Sequence, residues 1–319
     1  MTGILVLDKP TGMTSNAVLQ TVRRLYQARK AGHTGSLDPL ASGVLPICFG
    51  EATKLSGLLL EAPKTYDVIA RLGTRTDTGD AHGEPIEQQE WAGVTMSRVK
   101  AVLDDFLGPS DQVPPMYSAL KYRGRRLYQL ARRGETVERP PRKIRIEAFE
   151  HVRLDGAELR FRVRCSKGTY VRTLVEDIAA KLGTVAHVAG LRRVGAGALG
   201  EKYLVTMDDL ERAAGQGLAA LDALLLPPDA ALPHLPAVHL DQDNSRRICL
   251  GQQVETSYAG SGTVRLFGHD GRFLGLGELG PENRLAPRRL FRTTTGQNEE
   301  ESDGQGPGEV VAESAGKVQ

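Results

Sequence analysis

The sequence predicts an α+β protein: a mixed α/β unit around a largely antiparallel sheet, followed by a small β-rich unit and a polar tail. Three observations support this prediction. Residues 144–165 alternate apolar and polar side chains on either side of Asp155-Gly156, which is typical of an antiparallel hairpin. Apolar residues recur at helical spacing in residues 15–26 and 95–108. The proline-rich stretch LLLPPDAALPHLP then separates these elements from a compact C-terminal unit.

The first half of the chain reads as strand, helix, loop, strand and helix. GILVLDK is a short buried strand, and Val18, Val22 and Leu25 share one face of the helix that follows. After the glycine-rich loop at residues 31–43, KTYDVIARLG forms a strand. Thr95 caps a helix that ends before Gly108 and carries an apolar stripe of Val99, Val102, Leu103 and Phe106.

The second half begins with the hairpin. Its second strand directs Leu159, Phe161, Val163 and Cys165 to one face and Arg160, Arg162 and Arg164 to the other, so we expect one wet, basic side. The segment SKGTYVRTLVEDIAAKLG predicts a turn at Gly168 and a helix capped by Thr169 that ends at Gly183. Beyond the boundary at about residues 224–236, we expect a short helix near SRRICLGQ and a hairpin turning at GHDG.

Length and composition indicate a soluble protein of two domains. The chain has 319 residues, 40% of them hydrophobic and 25% charged. It has no apolar stretch long enough to span a membrane, and ILVL is too short for a signal sequence, so we expect a cytoplasmic protein with no membrane partner. Three cysteines with no CxxC spacing argue against a disulfide framework and against a zinc site.

Charge is distributed unevenly along the chain. Residues 293–319 hold six acids and one lysine, so residues 1–292 carry 40 Lys and Arg against 33 Asp and Glu, a formal charge of +7. Residues 121–145 alone hold ten basic residues and two acids, next to Tyr122 and Tyr128. Such a run is either a solvated face or a surface for a phosphate backbone. If it is the latter, the candidate contacts are Arg125, Arg126, Arg132 and Arg133.

The loop AGHTGSLDPLASG combines His33 and Asp38 with glycines and a proline. This density of Gly and Pro predicts a sharply turning backbone instead of a regular helix or strand. An aspartate before proline often only closes a turn, and His33 could simply satisfy a neighbouring carbonyl. The alternative is a functional carboxylate on a constrained loop, and the loop alone leaves both interpretations open.

The sequence lacks the motifs of several other chemistries. The seven histidines are scattered, and TDTGDAHGE lacks the terminal glutamate of a calcium loop. There is no GxxxxGK[ST] phosphate loop and no GxSxG elbow. We therefore expect neither a metal nor an organic cofactor.

Five segments together resemble the TruB family of tRNA pseudouridine synthases: DKPTGMTS, GHTGSLDPLASGVLPICFGEATK, PPMYSALKYRGRRLYQLARRG, CSKGTYVRTLVEDIAAKLG and AHVAGLRRV. They stand in the family's order and cover most of residues 3–194. Ser36 and Ser42 occupy positions where other members can have Thr or Ala. The resemblance implies a pseudouridine synthase catalytic domain over residues 1–232, with a basic RNA-contacting insertion, the thumb, at about residues 112–145. It also implies, more loosely, a PUA-type RNA-binding domain at residues 236–292. Residues 293–319 lie outside the pattern, and we expect a disordered acidic tail there.

The resemblance further implies a reaction at uridine 55 of the TΨC loop of tRNA, in which the base is detached from N1 and rejoined to ribose through C5. Asp38 matches the nucleophilic aspartate, and Arg172 matches the arginine paired with it. Tyr66 resembles the tyrosine that stacks on the target base and is a candidate for proton transfer. Tyr170 and Leu191 resemble residues that line the uridine pocket. His33 resembles the residue that fills the space left by the flipped base.

Each role has an ordinary structural alternative. Without the family, Arg172 would be a surface residue, Tyr66 a core residue, and Tyr170 and Leu191 packing residues. For the whole protein, we expect a monomer that needs no protein partner and binds the TΨC stem-loop of tRNA. The alternatives are a tRNA-folding chaperone and a guide-RNA-dependent synthase that modifies ribosomal RNA. The thumb resembles that of the stand-alone bacterial enzymes and argues against the guide-dependent alternative.

Overall fold

The computed structural model describes residues 1–292. The strands, in chain order, are β1 (Gly3–Lys9), β2 (Ala31–His33), β3 (Ser42–Phe49), β4 (Lys64–Leu72), β5 (Thr74–Thr76), β6 (Pro85–Gln88), β7 (Gly108–Gln112), β8 (Lys121–Tyr122), β9 (Arg125–Arg126), β10 (Arg142–Asp155), β11 (Glu158–Cys165), β12 (Ala186–Ala196), β13 (Leu199–Gly200), β14 (Ala237–His239), β15 (Val254–Glu255), β16 (Gly262–Phe267), β17 (Phe273–Leu279) and β18 (Arg284–Leu290). The α-helices are α1 (Ser15–Leu25), α2 (Ser56–Glu61), α3 (Met96–Asp105), α4 (Leu127–Ala131), α5 (Val171–Leu182), α6 (Met207–Gln216), α7 (Leu218–Asp222) and α8 (Gln242–Cys249). None of the helices in this part of the chain is long and apolar enough to cross a membrane.

A nine-stranded sheet forms the body of the protein. Its strands lie in the order β1-β3-β12-β4-β11-β10-β7, with β2 paired to β3 and β13 paired to β12. Strands β3 and β12 run parallel, and the other pairs are antiparallel. The predicted mixed, largely antiparallel sheet is therefore confirmed.

Both faces of the sheet are covered near β1, which explains the unbroken apolar run ILVL. Leu5 and Leu7 pack toward α1 and α6, whereas Ile4 and Val6 pack toward the segment that contains α2. At the other end of the sheet, α3 and α5 cover the apolar side of β11, and Phe161 belongs to that core.

The helix ends follow mostly local rules. The side chains of Thr14 and Thr95 accept the backbone N–H groups of Ala17 and Arg98, and these contacts start α1 and α3. Helix α5 ends at Gly183, whose φ of +79° is favourable only for a residue without Cβ.

Two local predictions were wrong. Thr169 does not cap α5, because its hydroxyl donates to Ser166 O, and Tyr170 is the N-cap residue instead. The start of the glycine-rich loop is a strand, since residues 31–33 pair with β3 in the register Ala31↔Phe49. Three residues on a sheet edge satisfy their backbone groups there despite the glycine content of the segment.

The C-terminal unit is a curled five-stranded sheet in the order β14-β16-β17-β18-β15, packed on α8. The predicted short helix and the hairpin around GHDG are present as α8 and β16–β17, in a curled half-barrel consistent with the predicted PUA-type fold. Its Leu276 is buried in the same cluster as Ile4 and Val44 of the body. The Lys54 ammonium also donates to Leu290 O at 2.6 Å, so the two units share a core and a polar contact.

Candidate active site

A cavity of about 300 Å³ opens where the glycine-rich loop meets the centre of the sheet. Its walls come from residues 35–38, from β4 and β12, from the start of α5 and from the base of the thumb. Of the residues predicted from sequence, the cavity is lined by Asp38, Tyr66, Tyr170, Arg172 and Leu191. The structure thus brings together side chains that lie up to about 150 positions apart in the chain.

Strand alternation decides which side chains face this cavity. Tyr66 lies opposite Arg193 and Val68 lies opposite Leu191 in the β4–β12 pairing. Because side chains alternate along a strand, these residues share one face of the sheet. Arg192 is on the opposite face, where it forms an ion pair with Asp8 at 2.9 Å.

The loop that carries Asp38 is held by contacts from several elements. The hydroxyl of Ser15, in α1, accepts the Leu37 N–H at 2.7 Å. The fully buried Lys9 donates to Ala41 O at 2.7 Å. At the end of the loop, Gly43 has φ +98°, and a Cβ there would lie only 2.2 Å from the carbonyl oxygen of Arg193. These contacts hold the loop to α1 and β1, and glycine is required at position 43, where β3 pairs with β12.

Asp38 and Arg172 form an ion pair at the cavity wall. Arg172 Nε lies 2.9 Å from Asp38 Oδ2, with 6% of the arginine side chain and 43% of the aspartate side chain exposed. The other two guanidinium nitrogens donate to backbone carbonyls, Nη1 to Thr78 O at 2.8 Å and Nη2 to Tyr117 O at 2.7 Å. These three contacts compensate for placing a cation in the first turn of a helix, where the dipole disfavours it.

The protonation of Asp38 depends on opposing effects. Burial raises the pKa of the Asp38 carboxyl above its ordinary value, and the Asp80 carboxylate acts in the same direction. The charges of Arg172 and Lys9 lower that pKa. Arg172 therefore favours the ionised carboxylate in an environment that otherwise disfavours it.

Tyr66 is partly buried on the cavity wall, next to Arg193. Burial raises the pKa of the Tyr66 phenol, while the neighbouring Arg193 guanidinium acts in the opposite direction. The phenol is consequently neutral near pH 7. A neutral ring on the cavity wall can stack on a flat ligand.

Arg193 and Lys64 line the cavity but were missed by the sequence analysis. Arg193 is 1% exposed and donates to Val44 O at 2.6 Å and to Gly35 O at 3.1 Å, so it joins both ends of the loop to β12. Two successive arginines in a strand must face opposite ways, and this pattern in AGLRRV was the available signal.

Lys64 is almost as buried as Arg193, and burial lowers its pKa to about 8. Its ammonium donates to the carbonyl oxygens of Leu60 and Ala62, both at 2.6 Å, at the end of α2. A lysine at the start of a strand has no local pattern that distinguishes this buried placement from an exposed one.

His33 lies outside the cavity lining, in β2 opposite Ile47. Burial lowers the pKa of its imidazole, and Arg193 adds to that effect, so the ring is neutral near pH 7. Its Nδ1 has no hydrogen-bond partner among the described residues. The structure therefore leaves a neutral aromatic ring at the base of the loop, five positions before Asp38.

The basic residues fall into two groups that the sequence did not separate. The arginines of β11 are neutralised: Arg160 pairs with Glu158, Arg162 with Asp67 and Arg164 with Glu147, at 2.5 to 2.7 Å. The expected wet, basic side of this strand is therefore a row of ion pairs.

The thumb arginines differ from those of β11. Arg125, Arg126, Arg132 and Arg133 are exposed, and none pairs with a carboxylate of residues 1–292. The guanidinium of Arg132 lies over the ring of Tyr128, 5.6 Å from its centre. Unpaired, exposed cations next to an aromatic ring suit a nucleic-acid backbone.

Within the described chain, no three His, Cys, Asp or Glu side chains are grouped as metal ligands. The N-terminal domain model of the TruB family pseudouridylate synthases matches residues 23–171. The C-terminal domain model of tRNA pseudouridylate synthase B matches residues 172–233, and that of pseudouridine synthase II TruB matches residues 236–291. The fold, the site and these matches define a pseudouridine synthase.

Relatives with similar sequences identify the type of pseudouridine synthase. The chain is 52% identical to tRNA pseudouridine synthase B of Stutzerimonas stutzeri and 50% identical to that of Nitrosococcus oceani, in each case over 92% of this chain and 96% of the relative. The chain belongs to the TruB family of tRNA pseudouridine synthases, as the sequence motifs predicted. Its reaction is the isomerisation of uridine to pseudouridine in tRNA.

Two solved structures share the fold over most of the chain. A crystal structure of a Cbf5-Nop10-Gar1 complex has a TM-score of 0.65 at 27% identity and covers 86% of this chain and 78% of that chain. A structure of an H/ACA RNP bound to a substrate RNA containing 2′-deoxyuridine has a TM-score of 0.70 at 23% identity, over 91% of this chain and 85% of that chain.

Proposed function

We propose that the enzyme converts uridine 55 in the TΨC loop of tRNA to pseudouridine, with Asp38 as the nucleophile. The observation that carries this proposal is the Asp38–Arg172 ion pair on the wall of a cavity of about 300 Å³. A cavity of this size suits one small ligand. A nucleotide within a folded RNA loop reaches such a cavity only by flipping out of its stack.

The atom balance of the reaction matches the groups present. The N1–C1′ bond breaks and a C5–C1′ bond forms, while C5 loses a proton and N1 gains one. No electrons are transferred to or from another molecule. A carboxylate nucleophile and proton transfers are sufficient for this isomerisation. Asp38 can supply the nucleophile by attack at C6 of the base or at C1′ of the ribose.

The remaining wall residues have roles consistent with this chemistry. Tyr66 stacks on the uracil ring, and its neutral hydroxyl can donate or relay a proton within the cavity. Tyr170 and Leu191 enclose the base from α5 and β12. His33, a neutral ring beside the loop, occupies the space that the flipped base leaves in the RNA.

The RNA contacts outside the cavity follow from charge. We propose residues 1–232 as the catalytic domain, residues 112–145 as the thumb that contacts the phosphate backbone and residues 236–292 as a second RNA-binding domain. The thumb arginines are exposed and unpaired among the described residues, whereas those of β11 are neutralised. The relatives at about 50% identity are named tRNA pseudouridine synthase B, which favours a stand-alone tRNA enzyme over a guide-dependent one.

The test uses pure protein and an unmodified tRNA transcript, with no guide RNA and no other protein. Mass mapping after cyanoethylation, which adds mass to pseudouridine and not to uridine, should locate one pseudouridine at position 55, and a transcript with cytidine at that position should remain unmodified. Asp38→Asn keeps the side chain nearly isosteric but replaces the nucleophile with an amide. We expect it to abolish tritium release from C5-labelled uridine, with tRNA affinity and melting temperature close to those of the wild type. Modification at another site, or comparable tritium release from the variant, would contradict the proposal.

A further inference from the structure

The orientation of Arg172 is determined by backbone carbonyls from two other segments. Its Nη1 donates to Thr78 O at 2.8 Å, and its Nη2 donates to Tyr117 O at 2.7 Å, while Nε lies 2.9 Å from Asp38 Oδ2 as an ion pair without hydrogen-bond geometry. Because a guanidinium is planar and rigid, fixing two of its nitrogens fixes the direction of the third. The alignment of the ion pair therefore depends on where Thr78 and Tyr117 are held.

Tyr117 joins the two carbonyl acceptors to each other. Its hydroxyl donates to Asp77 Oδ2 at 3.1 Å, and Asp77 directly precedes Thr78. The second oxygen of Asp77 accepts the Glu84 N–H at 2.9 Å, which anchors the acid in its own loop. One side chain thus sets the spacing between the loop at residues 77–84 and the base of the thumb.

A second contact joins the base of the thumb to α5. Gln112, the last residue of β7, is 3% exposed. Its amide oxygen accepts the Tyr170 N–H at 2.8 Å, and its amide nitrogen donates to Tyr170 O at 3.1 Å. Tyr170 is the N-cap of α5 and makes no capping bond of its own, so Gln112 provides the polar partner at the end of the helix that carries Arg172.

The same region continues into the basic part of the thumb. The Tyr128 N–H, in α4, donates to Ser118 O at 3.1 Å, and Ser118 lines the cavity next to Tyr117. Arg132 follows at the end of α4. The proposed RNA-contacting surface is therefore linked to the Tyr117 carbonyl, which orients Arg172, through Ser118 and its hydrogen bond from Tyr128.

We propose that Tyr117 and Gln112 are positioning residues that clamp the base of the thumb to Arg172, so that the seating of the thumb aligns the Arg172–Asp38 pair. This proposal rests on Asp38 acting as the nucleophile. It gives the thumb a part in the chemical step as well as in binding. Neither residue is placed as a catalytic group, since each acts through Arg172 or through Tyr170.

Tyr117→Phe is the direct test, because it removes the bond to Asp77 and keeps the ring and the backbone. We expect the single-turnover rate to fall about 5- to 10-fold, the loss expected for one hydrogen bond. The tRNA dissociation constant should stay within about twofold of the wild-type value, because the side chain is outside the proposed phosphate-contacting set. Asp77→Asn should retain most of the rate, since the amide can still accept from Glu84 and donate to the Tyr117 hydroxyl.

A pH profile separates positioning from a general structural role. The charged groups facing Asp38 are Arg172, Asp80 and Lys9, and Asp77 and Arg132 face Tyr117. When Arg172 is less well oriented, the ionised form of Asp38 is less stabilised. The pH at which the rate of Tyr117→Phe is half-maximal should therefore move upward, with an unchanged melting temperature.

Two further variants complete the design. Gln112→Glu keeps the shape of the side chain and the acceptor for Tyr170 N–H but cannot donate to Tyr170 O, so it should also slow the single-turnover rate without weakening tRNA binding. Tyr203→Phe makes the same change on a tyrosine outside both the cavity lining and the thumb, and should leave the rate and the pH profile unchanged.

The outcomes distinguish this inference from the proposed function. If Asp38→Asn is inactive while Tyr117→Phe and Gln112→Glu match the wild type in rate and pH profile, the clamp is refuted and the nucleophile stands. A rate loss fully explained by weaker tRNA binding or by a lower melting temperature would also refute the clamp. If Asp38→Asn remains active, the proposed nucleophile itself is wrong.

Discussion

Neutralising the four thumb arginines tests whether the thumb contacts phosphates. The variant changes Arg125, Arg126, Arg132 and Arg133 to Gln, which keeps side-chain polarity and removes four charges. All four side chains are exposed, and within residues 1–292 none is engaged by a carboxylate. Each is therefore available to displace a counterion from RNA.

The size of the effect follows from counterion release. Each phosphate contact contributes about 0.7 to 0.9 to the slope of log affinity against log salt concentration. Loss of four contacts should therefore flatten the slope by roughly 3. Between 50 and 200 mM salt, the affinity of the wild type should fall about 100-fold more than that of the variant.

Filter binding of a tRNA transcript across that salt range measures both slopes. The matched control changes Arg160 and Arg164 of β11 to Gln. These arginines pair with Glu158 and Glu147, so their loss should change the slope much less. Equal slopes for the wild type and the four-site variant would show that the thumb is only a solvated face.

Three further variants test the cavity and the loop beside it. Arg172→Gln removes the charge that opposes the effect of burial on the Asp38 pKa. Because the carboxylate must be ionised to attack, the pH of half-maximal single-turnover rate should rise. Tyr66→Phe keeps the ring and removes the hydroxyl, so tritium release from C5 should slow by about 100-fold if that hydroxyl transfers a proton, with tRNA affinity unchanged. Gly43→Ala places a Cβ 2.2 Å from Arg193 O at φ +98°, and urea unfolding should show a loss of ~2 kcal/mol or more.

Each of these variants has a control or a contrary result. Gly124→Ala has a similar φ of +84° with no heavy atom within 4 Å, so it isolates backbone strain from the clash expected at Gly43. If Gly43→Ala and Gly124→Ala lose the same free energy of unfolding, the clash expected at Gly43 is contradicted. If Arg172→Gln leaves the pH dependence of the single-turnover rate unchanged on the acidic side, the arginine does not control the ionisation of Asp38. If Tyr66→Phe releases tritium at the wild-type rate, the Tyr66 hydroxyl takes no part in proton transfer and the residue acts only by stacking.

The sequence predicted the elements whose rules are local. Alternation in β11 and the helical spacing of α3 identified the two sides of the main core, and Thr14 and Thr95 behave as ordinary caps. The cap of α5 could not be predicted in this way. Gln112, from a strand 58 positions away, instead bonds both backbone groups of the N-cap residue Tyr170.

The candidate site could be predicted only in part. Family motifs indicated Asp38 and Arg172, and the structure places them within 2.9 Å. Arg193 and Lys64 were missed because burial of a cation depends on acceptors from distant segments, which a short window of sequence does not show. The basic side of β11 was misjudged for the same reason, since its neutralising acids Asp67 and Glu147 come from β4 and β10.

The cluster that joins Leu276 to Ile4 and Val44 determines how the protein unfolds. Because both units bury side chains in one core, separating them would expose apolar surface on each. Heat should therefore melt residues 1–292 in a single cooperative transition, without a stable intermediate in which only the C-terminal unit is unfolded. A chain cut near residue 232 would lose stability throughout the body, so the contribution of the C-terminal unit to RNA binding is better measured with surface substitutions than by truncation.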